Sequence, residues 1–63
     1  MFIETNAYTN TGEIEPTLLN VDRVLRFVPG HVDNCYAIYD VKGDDFIKLA
    51  ESLTSIRDKI KGV

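Results

Sequence analysis

The sequence has no tryptophan, one cysteine, one histidine and two prolines. A lone cysteine, Cys35, closes no internal disulfide. A structural zinc site takes about four ligands, and Cys35 with His31 supplies only two. The apolar runs fall far short of the roughly 20 residues that span a membrane. The opening MFIETNAYTN has neither the basic region nor the apolar core of a secretory signal. With an unpaired thiol, these features predict a reducing, cytoplasmic location. PGH and KGDD lack the several glycines and the following helix of a phosphate-binding loop. Positive charge is also sparse: 7 Lys and Arg against 10 Asp and Glu give a net charge of −3. That argues against nonspecific binding of nucleic acid, which rests on neutralising phosphates.

What is present reads as a folded chain. Apolar residues make up 44% and charged residues 27%, the balance of a globular protein rather than a disordered one. With 63 residues the expectation is a single domain, 1–63. A domain this short buries only about 60% of the surface of its unfolded chain and commonly leans on disulfides, a metal or a partner chain. With the first two lacking residues, a homo-oligomer is the remaining expectation.

Short elements alternate with turn signals. FIETNAYT is rich in β-branched and aromatic residues, and NTGE after it suits a tight turn. In IEPTLLN, Pro16 cannot donate a ladder hydrogen bond, which places the strand at an edge or breaks it. Asn20 and Asp22 bend the chain. VLRFVP and CYAIYDV read as strands around Pro29 and Gly30, and KGDD is a turn centred on Gly43. The last third supports two readings. Phe46, Leu49, Leu53, Ile56 and Ile60 fall at helical spacing, which by periodicity alone favours one long helix capped by Asp44 or Asp45. Alternatively FIKLA is a return strand and Ser52 caps a helix over Leu53 to Lys61.

The segments MFIET, LLNVDRV, IYDVKG, AES and LTSIRDKI together span nearly the whole chain. In them the sequence resembles the small flagellar FlbD-type proteins and similar short uncharacterised bacterial and phage proteins. Val21 stands where that family usually carries proline, and RFVPGHVDN is a longer connection. The resemblance implies short antiparallel strands with FIKLA among them, a helix starting after Ser52, and a link to flagellar assembly or motor function. The resulting expectation is an α+β fold: a small antiparallel β-sheet or partly open barrel of four to five short strands, followed by one C-terminal α-helix.

Alternation places Val24, Arg26 and Val28 opposite Leu25 and Phe27, and Cys35, Ala37, Tyr39 and Val41 opposite Tyr36 and Ile38. Both faces are partly apolar, whereas a solvated antiparallel sheet keeps one face polar. An interface is therefore expected at Leu25, Phe27, Tyr36, Ile38 and Tyr39. No catalytic, cofactor-binding or metal-binding residues are expected. His31 and Cys35 lie four positions apart, but a reactive thiol needs a positioned base, and the Pro-Gly-His segment reads as a hairpin connection. In GDD, Asp44 and Asp45 read as solvated turn residues, short of the six or more oxygens of a calcium loop. Tyr36 and Tyr39 near Arg23 and Arg26 resemble a base-stacking platform, but the electrostatic footprint is missing. The functional expectation is a non-enzymatic interaction or regulatory module, acting as a homo-oligomer with an unidentified protein partner. The alternatives are an acidic phage-type inhibitor or nucleic-acid mimic that blocks a host protein, and a small-ligand binder at a dimer seam.

Overall fold

In the computed structural model, which describes residues 1–62, five strands precede one helix. They are β1 (Phe2–Tyr8), β2 (Ile14–Asn20), β3 (Arg26–Pro29), β4 (Cys35–Ile38), β5 (Phe46–Leu49) and α1 (Leu53–Lys61). A 3-10 turn, Val21–Arg23, joins β2 to β3. The sheet is open and antiparallel, in the order β2-β1-β5-β4-β3. It is built from a long hairpin, β1–β2, and a three-stranded meander, β3–β4–β5. The two halves meet between β1 and β5 at the Ala7–Leu49 pair, beside which the Ala50 N–H donates to the Asn6 carbonyl at 2.7 Å.

The turns follow from local chemistry. Gly12 (φ +85°) closes the first hairpin, its N–H donating to the Thr9 carbonyl, a left-handed conformation that disfavours residues with a Cβ. Gly43 (φ +82°) does the same between β4 and β5, donating to the Asp40 carbonyl. The turn therefore begins at Asp40, and β4 ends at Ile38 rather than running on to Val41. At Gly30 the requirement is space: a Cβ there would sit 2.1 Å from Asn34 Oδ1, which accepts the His31 N–H at 2.9 Å.

Each proline guards one edge of the sheet. On the β1–β2 hairpin the Thr9 N–H donates to Glu13 O and the Val21 N–H to Met1 O. Alternation then makes the Pro16–Asn6 pair non-hydrogen-bonded, so the Pro16 nitrogen faces outward. At the far edge the Gly30 N–H donates to Asn34 O, which leaves the Pro29–Cys35 pair non-hydrogen-bonded and the Pro29 nitrogen facing outward too. Neither proline breaks a ladder bond, and each removes one donor that an approaching strand would need.

The long-helix alternative fails. Phe46–Leu49 pairs along its whole length with β4, and α1 begins where Ser52 Oγ accepts the Ser55 N–H at 3.1 Å. Leu53, Ile56 and Ile60 turn toward the sheet, with Ile56 fully buried. Lys59 and Lys61 occupy the last turn, where cations meet the negative end of the helix dipole. The core lies between α1 and one face of the sheet and comprises Ile3, Ala7, Leu19, Cys35, Ala37, Leu49 and Ile56. Among the described residues, no helix is long and apolar enough to cross a membrane.

Candidate interaction surface

The register sorts the side chains into a covered and an open face, because directly paired residues share a face. Ile3 pairs with Leu19, Ala7 with Leu49, Leu49 with Cys35, and Ala37 with both Ile47 and Phe27. These residues lie under α1. Their neighbours along each strand point the other way, away from α1.

On that open face one row crosses all five strands: Ile14, Tyr8, Lys48, Tyr36 and Val28. A second, shorter row holds Phe46, Ile38 and Arg26. The long β1–β2 hairpin adds Phe2, Glu4 and Leu18 at the opposite end. Phe2 is 60% exposed, Leu18 66%, Ile14 56% and Phe46 51%. The aromatics are already ordered. Tyr36 and Phe46 meet edge-on at 5.6 Å between ring centres, and Lys48 Nζ lies 4.8 Å above the Tyr8 ring. Such contacts reduce the rotamer freedom left to lose on association.

The five residues expected at an interface divide between the faces. Tyr36 and Ile38 point to the open face, but Ile38 is buried there at 6% exposure and only Tyr36 presents surface. Phe27 and Tyr39 pack against the core on the covered side, where burial, and then the charge of Asp45, pushes the Tyr39 hydroxyl pKa up. Leu25 is exposed just ahead of β3, its N–H donating to Ile38 O at 2.9 Å. From Arg26 to Val28 and from Cys35 to Ile38 the alternation is as read from the sequence, but Val24 packs against the core with Phe27, while Leu25 and Val41 lie outside the strands and are exposed. The pairing of Phe27 with Ala37 is what sends Phe27 beneath the helix. Phe2, Ile14, Leu18 and Phe46, exposed on the open face, lie outside that expected set. For Phe2 the signal is the period-two pattern of FIETNAY, whose odd positions, Ile3, Thr5 and Ala7, are all buried; Ile14, Leu18 and Phe46 follow only from the strand pairing.

His31 and Cys35 do not form a pair of like environment. His31 is exposed on the β3–β4 connection, while Cys35 has no exposed surface. Burial, and then the charge of Glu51, pushes the thiol pKa up, the opposite of what an activated nucleophile needs. A disulfide reagent should therefore modify Cys35 only as the fold opens. Its reaction rate in buffer is expected to be at least about a hundredfold below that in denaturant, for an opening free energy near 3 kcal/mol. Equal rates would show that the β4 region is open. Among the described residues, no group of three or more His, Cys, Asp and Glu is placed to hold a metal.

One polar cluster is part-buried beside the core. Glu51 accepts hydrogen bonds from Thr5 Oγ1, from Ser55 Oγ at 2.7 Å and from Lys59 Nζ at 2.6 Å. Lys59 also donates to the Glu4 carbonyl at 2.6 Å. Burial pushes the Glu51 carboxyl up, but hydrogen bonds from Lys59, Thr5 and Ser55, with the charge of Lys59, outweigh it and hold the group below its ordinary value. Every partner is a side chain of β1 or α1, so the cluster is a clasp between sheet and helix. Comparison with known protein families, curated proteins and solved structures finds no match for this chain.

Proposed function

We propose that this chain is a non-enzymatic interaction module that works as a homo-oligomer, two copies stacking through their open sheet faces. The observation that carries the reading is the set of four large apolar side chains, Phe2, Ile14, Leu18 and Phe46, each more than half exposed on one uncovered face. Monomeric proteins rarely leave such a surface in water. The molecule measures 30 × 25 × 20 Å, which bounds its broad face at roughly 750 Å², so nearly the whole face is needed to approach the roughly 800 Å² that each partner buries in a stable interface. Pro16 and Pro29 blunt both sheet edges, which favours stacking over edge pairing. Charge is compatible with a two-fold axis: Glu4 lies toward one end of the face and Arg26 with Lys48 toward the other, so antiparallel stacking opposes unlike signs.

The protein should sediment as a dimer at micromolar concentration, and Leu18→Glu should sediment as a monomer with an unchanged far-ultraviolet spectrum. Leu18 is exposed, so this substitution leaves the core untouched. A wild-type chain that stays monomeric at several hundred micromolar would refute the reading.

A further inference from the structure

The covered side of the molecule holds a second apolar feature that the stacked face does not use. A groove of about 390 Å³ runs between α1 and the edge strand β3. Its walls are Phe27 from the strand and Leu53, Ile56 and Ile60 from the helix, and its rim carries Arg57 and Lys61. The volume falls in the range of small-molecule sites, about 300–1,000 Å³. Leu53 and Ile60 are only half-buried although they pack against the core, so they still present apolar surface to an occupant.

The rim identifies the charge of that occupant. Arg57 and Lys61 are four residues apart on one helix face, where like charges repel and cost a few tenths of a kcal/mol. Lys61 is accounted for by the helix C-terminus; Arg57, a turn earlier, is not. Among the described residues neither makes an ion pair, and Lys59, the third cation of the helix, is committed to Glu51. An anion lying between the two side chains would relieve the repulsion and accept hydrogen bonds from both.

The edge strand identifies the body of the occupant. An extended peptide in this groove would need backbone partners along β3. Phe27 lies in a non-hydrogen-bonded pair and offers its N–H and carbonyl outward, but at the next outward position, Pro29, there is no donor. A peptide would therefore leave backbone groups unsatisfied, at a cost, whereas a hydrocarbon chain has none to satisfy. From Leu53 to the midpoint between Arg57 and Lys61 the helix rises about 9 Å at roughly 1.5 Å per residue, enough to line most of a medium alkyl chain.

We infer that the α1–β3 groove is a binding site for a single-chain alkyl carboxylate, its chain against Phe27, Leu53 and Ile60 and its head group between Arg57 and Lys61. The site lies on the opposite side of the sheet from the stacked face, so it stands or falls separately from the oligomer.

The test is a titration of the full chain with decanoate below its micelle concentration, followed by amide chemical shifts. Saturable shifts confined to Phe27 and α1 are expected, with decanol and decyltrimethylammonium binding at least about tenfold more weakly, as the loss of charge-assisted hydrogen bonds predicts. The double variant Arg57→Gln, Lys61→Gln should bring decanoate down to the level of decanol while keeping the wild-type spectrum elsewhere, since both side chains are exposed. Non-saturating shifts, equal binding of the cationic amphiphile, or shifts centred on Phe2 and Leu18 would each overturn the assignment. So would an acidic peptide that occupies the groove and is not displaced by decanoate.

Discussion

Leu49→Ala is expected to remove most of the stability of the fold. Leu49 is completely buried, pairs with Cys35 on β4, and with Ala7 forms the ladder pair that joins the β1–β2 hairpin to the meander. Its opposite number across that junction is an alanine, which has no side chain to swing into the void, and the helix residue of the same cluster, Ile56, is held by Ser52-capped α1. Truncating a buried leucine where the surroundings cannot collapse costs about 2–5 kcal/mol. A chain of this length has about 3–9 kcal/mol in total at the usual stability per residue. The urea midpoint should fall by about half or more, and the melting temperature by upwards of about 10 °C, at 4–8 °C per kcal/mol for a small domain. The comparison is made at one protein concentration, because self-association adds a mass-action term. Val41→Ala, at an exposed position on the β4–β5 turn, is the control and should stay within about 0.5 kcal/mol of wild type. A Leu49→Ala protein that melts with the control would mean that the two halves of the sheet do not depend on this junction.

The sequence made local features readable and left non-local ones hidden. The Gly12 turn, the edge position of Pro16 and the Ser52 cap each arise from residues within one turn of each other, and each is where residue chemistry places it. The choice between strand and helix at Phe46–Leu49 was not local. The helical stripe through Phe46, Leu49, Leu53, Ile56 and Ile60 is real, but four ladder pairs with β4 outweigh it over Phe46–Leu49. The same distinction explains the candidate surface. Alternation separates a strand into two sets of side chains and says nothing about which set a distant helix will cover. Phe27 and Tyr36 both read as interface aromatics; the pairing of Phe27 with Ala37 and of Tyr36 with Lys48 puts them on opposite sides. Exposure of Phe2, Leu18 and Phe46 likewise follows only once α1 has chosen the face of Ile3 and Ala7. Glu51 was hidden for a related reason: Thr5, which donates to it, is 46 residues away in the chain.

Replacing Glu51 should have the next-largest effect, and its pH dependence separates a clasp from ordinary surface polarity. The carboxylate sits one residue ahead of the Ser52 cap, near the positive end of α1, and takes hydrogen bonds from Thr5, Ser55 and Lys59. Glu51→Ala takes the acceptor from two hydroxyls and leaves the Lys59 ammonium with the Glu4 carbonyl alone. The penalty is about 1–3 kcal/mol, roughly 5–20 °C in melting temperature for a domain of this size. Because the folded state holds the Glu51 carboxyl below its ordinary value, the unfolded chain binds its proton more readily. Stability from this group is therefore complete above the unfolded carboxylate range, about pH 4.3, and is lost as pH falls through the lower folded value. Glu51→Gln keeps the size and one acceptor oxygen but has no proton to take up in that range. Wild type should lose more stability between pH 7 and pH 3 than Glu51→Gln does, by denaturant titration at each pH. If the two proteins lose equal amounts, another carboxylate carries the acid sensitivity, and the clasp between β1 and α1 is held by packing of Ile56 on Ile3 and Leu49 rather than by this charge.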